Sequence, residues 1–324
     1  MTPATRDRAL LPEVVGAIED LELTARLVVE GMRTGGNRSP FPGSSAEFRQ
    51  HREYRAGDDL KRLDWKLFAR SDRLYTRQYN ETTNVPVMLV LDASGSMDFA
   101  AASATRRVTA QTPGHSPATK FRYGVVLAAA LAYLASTQGD AVGLVTMADS
   151  DWRYLPARGG RPHLRVLLAT LDRLVPGGPW DLADAIDRAA RRLRRRGIVV
   201  VISDLYGDDA ATTRALRRAT RHGHDVAVLH LLSPDELTLG DHGAIEYEDL
   251  ETGERILTDA TAAGPAYAAR VAGFAAALRN AVVPAGIDYA RVMTDLPPGR
   301  ALRDFLLRRG ARHVAERAHK PVRG

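Results

Sequence analysis

The sequence predicts an α/β fold, in which a doubly wound, mostly parallel sheet carries helices on both faces. From residue 85 onward, apolar runs of strand length alternate with longer stretches of helical periodicity, which is the pattern of strand–helix–strand units. The strand-like runs, such as VPVMLVLD and IVVVISD, are almost continuously apolar. Strands of that kind are buried on both sides, as in a parallel sheet covered by helices.

The N-terminal part has a different pattern. Residues 8–33 carry apolar positions at helical spacing, residues 33–45 are rich in Gly, Pro and Ser, and two β-like segments, EFRQHREYR and RLYTRQYN, follow. We therefore divide the chain into a small N-terminal helix and β-rich subdomain, residues 1–82, and a large α/β domain, residues 83–324. Within the large domain we expect a mobile loop at 100–119 and a hairpin insertion at 233–259.

The composition excludes several classes of function. The chain contains no cysteine, so disulfides, thiol catalysis and cysteine-bound zinc are absent. The net charge of +6 and the basic residues between aromatics over 33–79 leave nucleic-acid binding as an alternative. However, only four of the 45 basic residues are lysines, and this arginine bias is more typical of a GC-rich genome. No signal peptide is recognisable, and the longest weakly polar run, VVLAAALAYLAS, is far shorter than the ~20 residues of a membrane span. We expect a cytoplasmic protein with no membrane insertion.

Two of the predicted strands end in an aspartate. Asp92 follows the first strand and Asp204 follows VVVIS, and ligands of open parallel sheets bind beyond the carboxyl ends of strands. Ser94 and Ser96 follow Asp92 at alternate positions, a spacing that can bring both hydroxyls to one side of the carboxylate. Carboxylate, hydroxyl and water oxygens suit Mg²⁺ or Mn²⁺. Helix capping by Asp92, with the serines in turn hydrogen bonds, is the structural alternative.

Known catalytic motifs do not account for these residues. A nucleophile elbow needs G-x-S-x-G, and LDASGSM has no glycine two residues before either serine. The sequence contains neither a Walker motif nor a G-x-G-x-x-G after the first strand. A metal-dependent hydrolase that uses the same aspartates is a further alternative, but no general base or activated nucleophile is recognisable beside them. We therefore expect a binding protein rather than an enzyme, with no small-molecule substrate.

Two groups of residues carry a resemblance to known families. The D-x-S-x-S pattern of Asp92, Ser94 and Ser96 resembles the metal-ion-dependent adhesion site of von Willebrand factor type A domains. The segment 35–81 is similar to the domain of unknown function 58 family, with its R-x-Y-x-x-G-D-D, D-W and A-R elements, and the likeness continues through GDAVGLVTM, VVVISDLYGDD and EDLETGE. The signature residues are Arg52, Tyr54, Gly57, Asp58, Asp59, Asp64, Trp65, Ala69 and Arg70.

The resemblance implies a von Willebrand A-like fold and a metal site. Asp92, Ser94 and Ser96 would be the first-loop ligands of Mg²⁺ or Mn²⁺, and Asp204 the distal carboxylate, which acts directly or through water. Such sites normally include a threonine where PGGPWDLADAI places Trp180, whose indole cannot ligate a hard cation. Asp181, the next residue, is either an additional ligand or the N-cap of a helix that begins near Leu182.

The resemblance also implies a function. The domain would be a non-enzymatic protein–protein interaction module that presents its divalent ion to an acidic side chain of a partner. The implied partner is a MoxR-type AAA ATPase or its client, with a chaperone-like role in the maturation of a complex. The signature residues of the N-terminal segment are candidate partner-binding residues in this interpretation.

Overall fold

The computed structural model describes residues 21–30, 48–53, 67–68, 70, 73–79, 85–99, 119–148, 151–178, 180–207, 209–239, 243–248 and 253–318. Its strands in this part of the chain are β1 (Phe48–Glu53), β2 (Tyr75–Tyr79), β3 (Val87–Leu91), β4 (Val142–Ala148), β5 (Asp151–Arg158), β6 (Ile198–Ser203), β7 (Asp225–Leu232), β8 (Ala244–Glu248), β9 (Arg255–Asp259) and β10 (Asp288–Met293).

Six of these strands form one sheet in the order β10-β7-β6-β3-β4-β5. All neighbouring strands are parallel except the edge pair β4 and β5, which is antiparallel. β1 pairs with β2, and β8 pairs with β9, as separate antiparallel two-stranded sheets. The predicted mostly parallel sheet is confirmed.

Helices cover both faces of the six-stranded sheet. They are α1 (residues 21–30), α2 (Lys120–Thr137), α3 (Arg161–Asp172), α4 (Leu182–Arg192), α5 (Asp209–Arg221), α6 (Ala260–Val282) and α7 (Pro298–Ala318). Apolar residues of α1, α2, α3 and α7 share one core with Leu89 and Leu91 of β3. Those of α4, α5 and α6 share a second core with Met88 and Val90. Because successive strand residues point to opposite faces, β3 is buried along its whole length, as its unbroken apolar run predicts.

The sheet needs a glycine where β4 meets the edge strand. A Cβ on Gly143 would lie 2.7 Å from the carbonyl oxygen of Leu155, at the point where the pairing of β4 with β5 is irregular. A glycine inside a strand allows such a close approach of a neighbouring backbone.

Helix α1 packs into the core of the large domain. Leu21, Ala25 and Val29 are buried at a spacing of four residues, which gives an apolar stripe along the helix. Gly299, in the first turn of α7, lies close to α1, since a Cβ there would lie 3.1 Å from the carbonyl oxygen of Val28. The N-terminal helix therefore forms part of a layer of the α/β domain.

A buried arginine ties the C-terminal helix to the sheet. Arg309 of α7 is 2% exposed, and its Nη1 donates to Oδ2 of Asp288 at 2.6 Å. Its Nη2 donates to Oδ2 of Asp225. The two aspartates begin the neighbouring parallel strands β10 and β7, so one guanidinium fixes α7 to the amino ends of both strands.

Two further predictions from the sequence concern the loop at 100–119 and membrane insertion. Residues 100–118, nearly the whole of the predicted mobile loop, lie outside the described residues. Among the helices that the structure describes, none combines the length and the apolar character that a bilayer span requires.

Candidate functional site

The candidate site lies at the carboxyl ends of β3 and β6, which are neighbours at the centre of the sheet. The backbone N–H of Asp92 donates to the carbonyl oxygen of Ile202 at 2.9 Å, so strand pairing continues to the residue before Ser203. From β3 the chain crosses to β4 on one side, and from β6 it crosses to β7 on the other. This is a topological switch point, where open α/β sheets bind ligands. The structure therefore brings Asp92 and Asp204 to the same edge.

Asp92 is buried and accepts two hydrogen bonds from the protein. Its Oδ1 accepts from the backbone N–H of Ser94 at 2.9 Å, and its Oδ2 accepts from the hydroxyl of Ser203 at 2.5 Å. Burial, together with the nearby Asp204, raises the pKa of Asp92 to about 6, although the hydrogen bonds oppose the shift. Ser203 was not among the residues predicted from the sequence.

Ser94 and Ser96 lie together in the loop after β3. Their hydroxyl oxygens are 3.0 Å apart, and a short 3₁₀ turn, Gly95–Asp98, follows Ser94. The loop is held by a second loop, because Gly95 N–H donates to the carbonyl oxygen of Gly178 at 3.1 Å and Gly177 N–H donates to that of Ala93 at 2.9 Å. The alternate spacing therefore does bring the two hydroxyls together.

Asp204 forms an ion pair with a buried lysine. Its Oδ2 accepts from Lys120 Nζ at 2.6 Å, and the same ammonium donates to Oε1 of Glu236. Lys120 is the first residue of α2 and is 1% exposed. Burial lowers the pKa of Lys120, but the two carboxylates outweigh it, so the pKa is raised and the ammonium is retained. We call Lys120, Asp204 and Glu236 the lysine cluster.

The lysine cluster is supported on all sides. The other oxygen of Glu236, Oε2, accepts from the backbone N–H of Ser233 at 2.8 Å in a capping box. The ammonium of Lys120 also lies 5.1 Å from the ring centroid of Tyr206 and 5.7 Å from that of Phe99. Rings at this distance attract a cation. Two carboxylates and two aromatic rings therefore hold the buried ammonium of Lys120.

The backbone after β6 is folded tightly around the carboxylates. Leu205 has a φ of 61°, in the left-handed region that residues other than glycine rarely adopt. In this conformation Leu205 N–H donates to Oγ of Ser203 at 2.8 Å, and Tyr206 N–H donates to Oδ1 of Asp204 at 3.3 Å. Backbone strain of this kind persists where surrounding contacts impose it, and it is concentrated at functional sites.

Trp180 packs against another tryptophan, and Asp181 caps a helix. The rings of Trp180 and Trp152 are 5.6 Å apart, and the buried indole Nε1 of Trp180 has no hydrogen-bond partner among the described atoms. Asp181 is the N-cap of α4, where its Oδ1 accepts from the backbone N–H of Asp184 at 2.9 Å. The helix begins at Leu182, as the capping interpretation of Asp181 predicts.

In this arrangement the predicted ligand set does not fit a divalent ion without displacing the ammonium of Lys120, which pairs with Asp204. Oδ2 of Asp204 and both oxygens of Asp92 already accept hydrogen bonds from the protein, and Trp180 offers no lone pair. Within the described ranges, no three Asp, Glu or His side chains are grouped so as to hold a metal ion. The assignment of Mg²⁺ or Mn²⁺ to Asp92, Ser94, Ser96 and Asp204 stays a prediction from the sequence.

An open cavity of about 840 Å³ lies beside the lysine cluster. Its wall is formed by the loop after β3, the turn after β7, the β8–β9 hairpin and the first half of α6. The lining includes an acidic side chain of the lysine cluster, a guanidinium and several rings. The most prominent lining side chains are Phe99, Tyr206, Glu236, Tyr247, Tyr267 and Arg270.

The family signature is only partly described. Arg70 is helical and exposed, and Arg52 belongs to β1, although nothing is described of its side chain. The remaining signature residues, which are Tyr54, Gly57, Asp58, Asp59, Asp64, Trp65 and Ala69, lie outside the described residues.

Sequence reasoning missed Ser203, Lys120 and Glu236. One signal was available for Lys120, because a chain with only four lysines among 45 basic residues uses one of them at the start of a strongly apolar helix. Ser203 directly precedes a predicted ligand, and Glu236 follows Ser233 at capping-box spacing. None of these signals indicates that the three residues meet at one site.

Structure comparison aligns most of this chain with several solved structures. An aerotolerance-related membrane protein from Bacteroides fragilis is 20% identical and covers 70% of this chain and 99% of its own, with a TM-score of 0.42. The protein BatB from Bacteroides thetaiotaomicron is 18% identical over the same shares, also with a TM-score of 0.42. The VWA domain of SpRpn10 is 14% identical, covers 68% of this chain and 93% of its own, and has a TM-score of 0.37.

Sequence comparison gives a closer relationship. The uncharacterized protein Rv1480 of Mycobacterium tuberculosis is 33% identical over 245 residues, which are 75% of this chain and 72% of that protein. The uncharacterized protein MAV169 of Mycobacterium avium is 39% identical over 102 residues, 31% of this chain and 59% of that protein. Residues 50–275 match the family described as protein of unknown function DUF58. The resemblance seen in the signature residues is confirmed, and the chain belongs to the DUF58 family.

Proposed function

We propose that this protein is a non-enzymatic protein-interaction module that binds its partner at the carboxyl edge of the sheet. The observation that carries the proposal is the open cavity beside the lysine cluster, about 840 Å³ in volume. It lies at the switch point, where this class of sheet binds ligands, and its wall combines rings with a few polar groups.

A protein partner fits this cavity better than a small molecule does. The cavity is open to solvent, and Ile256 of the β8–β9 hairpin, which lines it, is 59% exposed. The neighbouring Leu257 is 72% exposed. Exposed apolar side chains next to a polar rim are typical of protein-interaction sites. The hairpin would therefore provide the apolar contact and the cavity would receive a partner side chain.

The charge at the rim favours an acidic group on the partner. Arg270 of α6 is exposed and lines the cavity, and the described part of the chain supplies no salt-bridge partner for it. A guanidinium binds a carboxylate through two parallel hydrogen bonds. An acidic partner side chain at Arg270 would thus take the role that sequence reasoning assigned to a metal-bound carboxylate.

Catalysis is not required to explain the site. Both predicted aspartates are engaged by the protein, Asp92 by Ser203 and Ser94 and Asp204 by Lys120. A hydrolase would need one of them placed as a general base facing a substrate. These contacts support a binding role.

The resemblance to the DUF58 family supports a more specific proposal for the partner, namely a MoxR-type AAA ATPase or its client. The module would then have a chaperone-like role in the maturation of a complex. An ATPase needs ATP, so this proposal places the interaction in the cytoplasm.

Binding to an immobilised MoxR-type ATPase from the same organism tests the proposal, with biolayer interferometry as the readout. The variant Ile256→Ser should weaken binding at least tenfold, because it removes an apolar contact at the cavity. Val166→Ser is the matched control, since Val166 of α3 is 52% exposed and lies outside the cavity lining. Equal binding by wild type and Ile256→Ser would refute the assignment of the cavity as the binding face.

A further inference from the structure

The lysine cluster places a positive charge beside Asp204, the distal carboxylate of the adhesion-type site that the resemblance implies. The ammonium of Lys120 lies 2.6 Å from Oδ2 of Asp204 and also donates to Glu236. Asp204 is fully buried, and Lys120 is 1% exposed. Aspartate, glutamate and lysine side chains are rarely buried unless they are paired with an opposite charge. The ammonium meets that need in this structure.

A divalent ion bound directly by Asp204 and this ammonium would compete for the same carboxylate. Mg²⁺ binds carboxylate oxygens at about 2.0–2.1 Å. An ion at Oδ2 of Asp204 would therefore lie close to Nζ of Lys120, and the two positive charges would repel each other strongly in a buried site. The rings of Tyr206 and Phe99, which line the cavity, lie 5.1 Å and 5.7 Å from the ammonium and help to hold it beside the carboxylates.

The three members of the cluster come from distant parts of the chain. Lys120 is the first residue of α2, Asp204 follows β6 directly, and Glu236 ends the 3₁₀ turn Pro234–Glu236 after β7. The lysine is 84 residues from Asp204 and 116 residues from Glu236. The ammonium thus joins three loops at the carboxyl edge of the sheet, as a shared metal ion would.

We propose that Lys120 is the resident cation of this site and replaces the divalent ion, so that the site is formed and used without metal. The claim that the partner binds without metal rests on the proposed function, because it concerns the partner-binding face. The claim that the site folds without metal rests only on the lysine cluster and can be tested with the protein alone.

The test is a titration of the EDTA-treated protein with Mn²⁺, followed by the electron paramagnetic resonance signal of free Mn²⁺ and by the melting temperature. The wild type should leave Mn²⁺ free at millimolar concentration and should melt at the same temperature with and without it. Stoichiometric binding that is lost in Asp204→Asn would overturn the proposal.

Two variants at position 120 sharpen the result. Lys120→Ala removes the charge and opens space between the two carboxylates, so it should bind Mn²⁺ at least tenfold more tightly than the wild type and be stabilised by it. Lys120→Arg keeps the positive charge, so it should neither bind Mn²⁺ nor change its melting temperature when Mn²⁺ is added. If Lys120→Ala folds only when Mn²⁺ is added, the proposal is supported. If it folds without gaining Mn²⁺ affinity, the ammonium does not occupy a metal position and the proposal fails. If it does not fold at all, the wild-type titration decides.

The partner experiment separates this inference from the proposed function. EDTA should leave the binding of the MoxR-type ATPase to the wild type unchanged, and loss of binding in EDTA would overturn metal-independent use. If the ATPase does not bind under either condition, the proposed partner is wrong, whereas the Mn²⁺ titration still decides how the site is built.

Discussion

The hydroxyl of Ser203 lies 2.5 Å from Oδ2 of Asp92, and this hydrogen bond joins the two central strands at the edge where the candidate site begins. The same oxygen of Ser203 accepts from the backbone N–H of Leu205 at 2.8 Å. One small side chain therefore holds a buried carboxylate and also fixes the left-handed residue that turns the chain away from the sheet. The candidate site depends on this serine, although it is not one of the predicted ligands.

Replacing Ser203 with alanine should destabilise the protein. The change removes the donor to Asp92 and the acceptor for Leu205 N–H, and both partners are buried. Leaving buried polar groups unsatisfied costs about 1–3 kcal/mol each, so we expect a loss of roughly 2–4 kcal/mol in the free energy of unfolding. Urea denaturation followed by circular dichroism measures it. A loss within experimental error would show that the hydrogen bond is unimportant for stability.

Thr146 lies in β4, the strand next to β3, and its hydroxyl differs from that of Ser203 in its hydrogen bonding. Its hydroxyl is buried and has no hydrogen-bond partner within the described structure. Valine has nearly the same shape without the hydroxyl, so Thr146→Val should leave the stability unchanged or raise it by about 1 kcal/mol. The same urea titration measures both variants. A loss comparable to that of Ser203→Ala would show that the hydroxyl of Thr146 has a partner after all.

The strand ends could be predicted from the sequence, whereas the contacts of the site could not. Asp92 and Asp204 follow apolar runs, and parallel strands bring their carboxyl ends to one edge, so pattern alone predicts that the two carboxylates meet. The partner of Asp204 depends on the residue at which α2 begins and on the turn after β7. The contacts of Lys120 form only in the folded chain, because Lys120 is 84 residues from Asp204 and 116 residues from Glu236 in the sequence.

The roles of Asp181 and Trp180 also could not be predicted from the sequence alone. Asp181 could be a ligand or a helix cap, and only the position of α4 shows that it caps Leu182–Arg192. Trp180 was recognised as unable to bind a metal, but its packing against Trp152 of β5 depends on the register of the edge strand. Short polar side chains serve caps, turns and ligand sites equally well, so their surroundings decide the role.

Arg309 provides a prediction about the link between α7 and the sheet. Arg309→Leu keeps much of the volume but leaves Asp225 and Asp288 without the guanidinium that pairs with both. Removing one partner of a buried ion pair costs about 3–5 kcal/mol, and the side chain of Asp225 is 34% exposed, so we expect about 3 kcal/mol. Thermal and urea denaturation measure the loss.

The preceding residue of the same helix, Arg308, is the matched control for this change. Arg308 is exposed, and its Nε donates to the carbonyl oxygen of Asp304, so Arg308→Leu should change the stability by less than about 0.5 kcal/mol. The triple variant Arg309→Leu, Asp225→Asn, Asp288→Asn should recover part of the loss, because the buried charges are then absent. Equal losses at positions 308 and 309 would contradict the role of the buried ion pairs.

Asp140 provides a prediction about pH. This aspartate lies in the turn before β4, is 3% exposed, and has an Oδ1 without a hydrogen-bond partner in the described structure. Burial raises the pKa of Asp140 from its ordinary value of 3.8 to about 6, and a hydrogen bond from the backbone of Val85 only partly opposes this. The folded state therefore binds the proton more tightly than the unfolded state. The contribution of Asp140 to stability falls as the pH rises from about 4 to about 6, and the full penalty remains above that range.

Asp140→Asn removes this penalty because the amide stays neutral at every pH. The stability gained over wild type should be near zero around pH 4 and should rise to at most about 3 kcal/mol at pH 7.5, the figure that corresponds to the raised pKa. Urea denaturation at several pH values measures the difference between the two proteins. Asp295→Asn, at an exposed position, controls for the loss of one negative charge. A difference between Asp140→Asn and wild type that is the same at pH 4 and pH 7.5 would contradict the raised pKa, since only titration of Asp140 makes the gain depend on pH.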